Sequence, residues 1–209
     1  MISEAASGRV LCAVISELLL IGCGSDPKEP RHCPIGDLSS PAEIQIIHQD
    51  RNGEVIATES MAQIPLIAPP QGGWIVLLGV RAKNIDGCQA TLTTALVDAC
   101  DHQLMKIDQR TTQLDVGADG WGQSSLTSFG NLQVCPQITA TRDLYGVPYI
   151  IQVTIQDTGG QKAAALLTVV PTCPTEASRC TCECDRDYVE GSVCPAVPVA
   201  HGTCRAVGD

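Results

Sequence analysis

Residues 148–171, PYIIQVTIQDTGGQKAAALLTVVP, carry the clearest structural signal in the chain. Every second residue from Tyr149 to Ile155 is apolar. Because successive side chains of a strand point to opposite faces, this period of two predicts a strand with one apolar face. Asp-Thr-Gly-Gly at 157–160 supplies residues that tolerate a positive φ, and a second apolar run follows. We therefore expect a β-hairpin whose alternating face lies in the core.

The region before this hairpin repeats the same type of signal. Asn52-Gly53 is the strongest two-residue turn signal and joins two short apolar runs. Further alternating runs lie at residues 74–83, 88–97, 104–116 and 132–135. Strands at intervals of about 8–12 residues, without a helical period, predict an antiparallel sandwich of about seven strands. We expect Trp74 to fill its core, since a sandwich needs a large central residue.

The hairpin stretch resembles the closing strands of bacterial immunoglobulin-like and cadherin-like domains. In those domains a Tyr opens a strand, D-x-G-G turns it, and a Thr/Val-rich strand closes the sandwich. The resemblance implies an all-β fold: an immunoglobulin-like antiparallel β-sandwich at residues 42–172, with a small disulfide-rich C-terminal extension at residues 173–209. Tyr149 would take the tyrosine-corner role. Ile151 stands where an antibody domain carries a cysteine, so the inter-sheet disulfide is not reproduced.

The composition argues against a nucleic-acid partner and against a site built from many aromatic residues. Lys and Arg number 13 against 23 Asp and Glu, a net charge of −10, so the chain would repel nucleic-acid phosphates. Aromatic residues make up only 3% of the chain, which disfavours a base-stacking platform and an aromatic-lined sugar groove. We therefore expect no nucleic-acid partner.

The amino-terminal segment predicts export. Residues 10–21, VLCAVISELLLI, form an apolar run that is too short to span a bilayer and has the length of a signal-peptide core. The sequence LIGC at 20–23 resembles the bacterial lipobox, which is cleaved before a cysteine whose thiol then carries diacylglycerol. The resemblance implies a lipoprotein signal peptide at residues 1–22 and lipidation of Cys23. The alternative is a short buried segment of a cytosolic protein.

Residues 23–41 predict a tether. This segment is polar and rich in proline, and such segments are stiff and extended. It would hold a folded domain away from the membrane to which Cys23 is anchored. Gly24 stands where an aspartate would signal retention in the inner membrane. By that resemblance we expect an extracytoplasmic protein of the cell envelope, on the outer rather than the inner membrane.

The cysteines predict an oxidising compartment. Twelve cysteines without repeated C-x-x-C pairs are typical of exported proteins. Apart from Cys12 in the signal and Cys23, ten candidates for five disulfides remain: Cys33, Cys88, Cys100, Cys135, Cys173, Cys180, Cys182, Cys184, Cys194 and Cys204. Four precede the end of the last sandwich strand and six lie in the tail, so each set can pair within itself, with 3 and 15 connectivities respectively. We expect two bridges in the sandwich and three in the tail.

The tail, residues 173–209, resembles small epidermal-growth-factor-like disulfide modules. A metal site is the alternative there, because Cys180, Cys182, Cys184 and His201 offer soft ligands to zinc or copper. In an oxidising compartment these thiols pair instead. We therefore expect no metal in the tail.

Residues 48–59 allow a second metal alternative. Their polar residues fall at positions of a calcium-binding EF-hand loop, but the first position is His48 rather than a carboxylate. No helical pattern flanks the loop, and residues 115–120, DVGADG, lack the closing glutamate of such a loop. We expect a plain turn in the first segment and no calcium in either.

The chain contains no recognisable catalytic motif and implies no cofactor. The glycine pattern of a nucleophile elbow is incomplete at residues 122–126, and zinc-protease, P-loop and Rossmann motifs do not occur. We interpret the histidines and three aspartates between strands as solvated positions: His32, His48, His102, His201, Asp98, Asp101 and Asp108. A catalytic site is therefore not expected.

Three classes of function remain. The first is a lipid-anchored binding module that contacts another envelope protein or a glycan, and it explains anchor, tether, sandwich and tail together. The second is a structural envelope component without a discrete ligand. The third is an extracytoplasmic enzyme, which the missing motifs disfavour. We expect the first.

Overall fold

Thirteen strands and one short helix make up the part of the chain that the computed structural model describes, residues 31–194 and Gly202. They are β1 (Pro34–Ile35), β2 (Glu43–Gln49), β3 (Val55–Ala57), β4 (Ala62–Pro65), β5 (Trp74–Lys83), β6 (Ile85–Asp86), β7 (Ala90–Asp98), β8 (Leu104–Thr112), β9 (Leu114–Val116), β10 (Gly122–Ser124), β11 (Gly130–Cys135), β12 (Tyr149–Gln156), β13 (Lys162–Thr172) and α1 (Ala177–Glu183). The expected signal peptide at residues 1–22 and the expected lipidation site Cys23 lie outside the described residues. The expected all-β fold is confirmed.

Two larger sheets contain most of these strands. The six-stranded sheet has the order β3-β2-β5-β10-β9, with β11 also paired to β5. The five-stranded sheet has the order β4-β13-β12-β7-β8, and its β4–β13 pair is parallel. More than the expected seven strands are present because turns split long strands. For example, β10 and β11 pair with successive parts of β5 on either side of a 3₁₀ turn.

The alternating faces of both sheets form one core. The hairpin of β12 and β13 is confirmed, and the residues of its predicted apolar face, from Tyr149 to Ile155, are fully buried. On the opposite sheet, Trp74 and the alternate residues to Ala82 are buried as predicted. Each such aliphatic side chain contributes about 1.5–3 kcal/mol by leaving water.

Tyr149 makes the predicted corner contact. Its hydroxyl donates a hydrogen bond of 3.0 Å to the backbone oxygen of Asp143. Arg142 lies over its ring, 4.5 Å from the centroid, and pairs with Asp98 at 3.0 Å between Nη2 and Oδ1. Both charged side chains are buried. The interpretation of Asp98 as a solvated residue is therefore wrong, because a positive charge from a distant loop compensates its burial.

Residues 32–41 belong to the folded unit, so this part of the segment expected as a tether, residues 23–41, is not an extended spacer. Cys33 is bonded to Cys88, and Asp86 Oδ1 accepts the N–H groups of both cysteines at 2.9 Å. Ile35 is buried against Gly122, where a Cβ would lie 2.3 Å from Ile35 Cδ1. The prolines indicated an extended segment, but one buried isoleucine and one disulfide fasten it to the domain.

The described part of the tail packs on the sandwich. Trp74 Nε1 donates a 2.7 Å hydrogen bond to Glu183 in α1, and Cys135 of the sandwich is bonded to Cys184. The expected pairing within each region is therefore wrong. The other bridges between described residues are Cys33–Cys88, Cys173–Cys180 and Cys182–Cys194, and Cys100 is also disulfide-bonded. Cys204 lies outside the described residues.

Candidate functional site

The loop between β9 and β10 forms one wall of a surface cleft. The N–H of Gly117 donates to the backbone oxygen of Trp121 at 2.8 Å, and that of Gly120 donates to Gly117 at 3.1 Å. Gly120 has a φ of +77°, a conformation that glycine adopts without strain. The tight turn places the half-buried Trp121 at the start of β10.

Arg81, Gln123 and Asp115 line the floor of this cleft, and Gln45 extends their row of polar side chains beyond it. The strand registers pair Gln45 with Arg81, Arg81 with Gln123, and Gln123 with Asp115. These residues face outward, because Val80 and the other alternate residues of β5 fill the core. Arg81 Nη1 donates a 3.1 Å hydrogen bond to Gln45 Oε1. The row therefore presents amide, guanidinium and carboxylate groups side by side.

Arg81 joins the floor to the loop. Its guanidinium pairs with Asp119 and lies 5.6 Å from the centre of the Trp121 ring. The pKa of Asp119 is lowered because the N–H of Trp121 and the guanidinium of Arg81 donate hydrogen bonds to its carboxylate. Asp119 is consequently ionised at neutral pH. It can accept hydrogen bonds but cannot act as a proton donor.

We call this site the Arg81 cleft. Its volume is about 450 Å³, and apolar groups from Val55, Val116 and Leu126 complete its walls. Ser125 adds a hydroxyl near Leu126. Cavities of this size hold small ligands, and a few polar groups fix the orientation of such ligands. The arrangement can bind a small polar molecule that also has an apolar surface.

A second cleft, of about 430 Å³, lies beside His48. His48 is buried, and its Nδ1 lies 2.9 Å from the hydroxyl of Thr58. The interpretation of His48 as a solvated turn residue is wrong, since the residue belongs to β2 and points toward the core. Burial lowers the pKa of His48, and the nearby Asp50 opposes this only in part. The neutral imidazole is buried and hydrogen-bonded to Thr58, so it is not available to a ligand. We therefore regard this cleft as the weaker candidate.

The burial of His48 makes stability depend on pH. In the unfolded chain its pKa is near 6.5, and the folded value is lower, so below pH 6.5 the unfolded state binds more protons. Stability is then lost as the pH falls through this window, by at most about 1.4 kcal/mol per pH unit for one group. We expect His48→Gln to flatten this slope in urea unfolding measured between pH 7.5 and 5.

The matched control is His102→Gln, because His102 is exposed. That variant should keep the wild-type slope over the same range. Carboxylates titrate near pH 4 and do not contribute strongly in this window. An unchanged slope in His48→Gln would contradict the assignment.

The other positions weighed as metal ligands or solvated residues have structural roles. The Asp50 carboxylate accepts the N–H groups of Asn52 and Glu54, both at 2.8 Å, so residues 50–54 form the expected plain turn. His32 Nδ1 lies 2.7 Å from Asp86 Oδ2. In the tail, Cys180, Cys182 and Cys184 are bonded to Cys173, Cys194 and Cys135 respectively. Bonded sulfurs are not thiolate ligands, and His201 lies outside the described residues.

Sequence reasoning missed the residues of the Arg81 cleft. Residues 115–120 were interpreted only as a failed calcium loop and residues 122–126 only as a failed nucleophile elbow. The unused signal is Trp121, which lies between an acidic segment, DVGADG, and a segment with an amide and hydroxyls, GQSS. One tryptophan is enough for a small site even where aromatic residues are scarce.

Comparisons with known proteins assign no family. The sequence matches no known family, and no curated protein is significantly similar to it. Among the described residues, no helix is long and apolar enough to cross a membrane.

Proposed function

We propose that the chain is an exported, lipid-anchored binding module of the cell envelope, and that it binds a neutral glycan in the Arg81 cleft. The observation that carries this proposal is the row of Arg81, Gln123 and Asp115 beside Trp121. Proteins of the cell envelope are surrounded by glycans. An envelope protein as the ligand is the alternative.

The chemistry of the cleft suits a sugar. Neighbouring hydroxyls of a pyranose both donate and accept, and planar amide, guanidinium and carboxylate groups bind such pairs with two hydrogen bonds. The C–H face of the ring is apolar and suits the indole of Trp121. Arg81 is paired with Asp119, and Asp115 adds a second negative charge. An anionic polysaccharide is therefore disfavoured.

Several features support export and the fold assignment. Disulfides among the described cysteines favour an extracytoplasmic compartment. The sequence LIGC at residues 20–23 supports a lipid anchor on Cys23, which we place in the outer membrane. The parallel pairing of β4 with the last strand, together with the corner contact of Tyr149, supports an immunoglobulin-like topology. The anchor would present the cleft at the membrane surface.

Binding without catalysis is the simpler proposal. Hydrolysis of a glycosidic bond needs a carboxylic acid that donates a proton, and Asp119 is held ionised. The first alternative is a structural component without a discrete ligand, and the second is an extracytoplasmic enzyme. Saturable binding of a sugar that is released unchanged would argue against both.

Calorimetry with neutral oligosaccharides tests the glycan proposal. The protein is the oxidised chain from residue 23 with Cys23→Ser, titrated with cellohexaose, mannohexaose, maltohexaose and N-acetylchitohexaose, and with an anionic oligogalacturonate. We expect one neutral sugar to bind at a single site. Trp121→Ala and Gln123→Ala should each weaken it at least tenfold, or about 1.4 kcal/mol.

Gln133→Ala is the matched control for Gln123→Ala. Gln133 is an exposed glutamine on the outer face of the same sheet and pairs with Ile75, away from the cleft. It should bind the sugar as the wild type does. If no neutral sugar binds, or if Trp121→Ala binds normally, the cleft is not a glycan site.

A further inference from the structure

The outer face of the five-stranded sheet has an unusual surface. Its strands β13, β12, β7 and β8 each contribute four outward side chains in register. We call these sixteen residues the grid. Its rows are Lys162-Gln156-Thr91-Thr111, Ala164-Thr154-Thr93-Gln109, Leu166-Gln152-Ala95-Ile107 and Thr168-Ile150-Val97-Leu104.

The grid is almost free of charge. Lys162 is its one charged residue, although the whole chain has 23 acidic and 13 basic residues. Its last two rows contain exposed aliphatic side chains: Leu166 is 61% exposed, Ile107 54% and Leu104 53%. Solvated sheet faces usually carry polar residues at such positions, and an exposed apolar patch indicates an interaction surface.

We propose that the grid binds the grid of a second copy of this chain, so that the protein forms a two-fold symmetric dimer. A two-fold interface places the same patch on both subunits, so the patch must complement itself. Any approach of two copies brings two net charges of −10 together. The grid is a surface through which they can meet without placing acidic side chains against each other.

The shape of the grid suits such self-pairing. Leu166 and Ile107 protrude at the two ends of one row, while Ala95 between them is only 5% exposed. The neighbouring row consists of small and polar residues, including Ala164 and Thr93. Exposed aliphatic side chains therefore lie beside smaller and polar ones. Two sheets can pack face to face in this way, as they do inside a sandwich.

The area of the grid predicts a weak dimer. Four strands about 4.8 Å apart, with four outward residues each about 6.7 Å apart, cover roughly 500 Å² per copy. Burying this surface on both copies gives roughly 1,000 Å², the lower limit for a specific interface. We expect a dissociation constant in the micromolar range. Added salt should strengthen the dimer, because it screens the repulsion between the two acidic chains.

Sedimentation velocity tests the dimer. The oxidised chain from residue 23, with Cys23→Ser, is measured from 5 to 500 µM in 50 and 500 mM NaCl. We expect concentration-dependent dimers that are stronger at high salt. Leu166→Glu should weaken the dimers at least tenfold, since each of the two subunits places one new negative charge in the interface. Amide NMR shifts on dilution should be confined to the four grid strands.

Val189→Glu is the control. Val189 is 69% exposed and lies in the tail, outside the grid. This variant should dimerise like the wild type, and circular dichroism verifies that both variants are folded. A wild type that stays monomeric at 500 µM in high salt would overturn the proposal. Dimers that Leu166→Glu leaves unchanged would do the same. The grid and the Arg81 cleft lie on different sheets, so neither result decides the glycan proposal.

Discussion

Replacing Arg142 with methionine is expected to lower the free energy of unfolding by about 3–5 kcal/mol. Arg142 Nε lies 3.1 Å from both carboxylate oxygens of Asp98, and both side chains are buried. Methionine would fill much of the same volume but would leave the Asp98 charge without a counter-charge. Urea unfolding at pH 7, followed by circular dichroism, measures the loss.

A double-mutant cycle separates the charge from the packing. Asp98→Asn in the Arg142→Met background removes the uncompensated charge, while the amide oxygen can still accept the N–H of Cys100. The double variant should therefore be more stable than Arg142→Met alone. Arg110→Met is the control, because Arg110 pairs with Asp108 where both side chains are partly exposed, 37% and 22%, and Asp108 would keep the N–H of Asn131. Such pairs contribute about 0–1 kcal/mol, and an equal loss in both arginine variants would contradict the argument.

Local pattern was sufficient to predict the central strands. The alternation at 149–155 and from Trp74 to Ala82 follows from burial of one face of each strand, and both faces are buried as predicted. The hydrogen bond of the Tyr149 hydroxyl is also local in sequence, since its acceptor is a carbonyl only six residues upstream. Interactions between residues that are close in sequence can therefore be predicted from the local pattern.

The misplacement of His48 is local, since it contacts Thr58 only ten residues away, but the other errors concern contacts between distant residues. Asp98 meets Arg142 across 44 positions, and Cys135 meets Cys184 across 49. Even numbers of cysteines in two regions do not exclude a bridge between them. Likewise, a proline-rich segment can be fastened by one buried side chain, as Ile35 is. None of these partners is specified by local composition.

The Arg81 cleft illustrates the same limit at the candidate site. Its loop was considered only as a failed calcium loop, and Arg81 and Gln123 lie 42 positions apart in sequence and become neighbours only through the register of β5 and β10. Periodicity predicts which face a residue occupies. It does not predict which strand lies next to it.

Removing the Cys135–Cys184 disulfide is expected to have a comparably large effect. The bridge closes a loop of 49 residues, for which the chain-entropy relation gives about 4 kcal/mol. Both cysteines are buried in the core, so alanine at both positions also leaves a small cavity. The variant Cys135→Ala with Cys184→Ala should therefore unfold at a markedly lower urea concentration under non-reducing conditions.

The variant Cys182→Ala with Cys194→Ala is the comparison. Its bridge spans only 12 residues and lies within the tail, so the same relation gives about 3 kcal/mol.

Trp74 fluorescence in a Trp121→Phe background supplies a second readout, because Trp74 is buried and its Nε1 donates to Glu183 in α1. Loss of the Cys135–Cys184 bridge should loosen α1 and shift this emission to the red before global unfolding. If the emission stays unchanged, hydrogen bonding and packing alone hold α1 on the sandwich, and the disulfide stabilises the fold only through the unfolded chain.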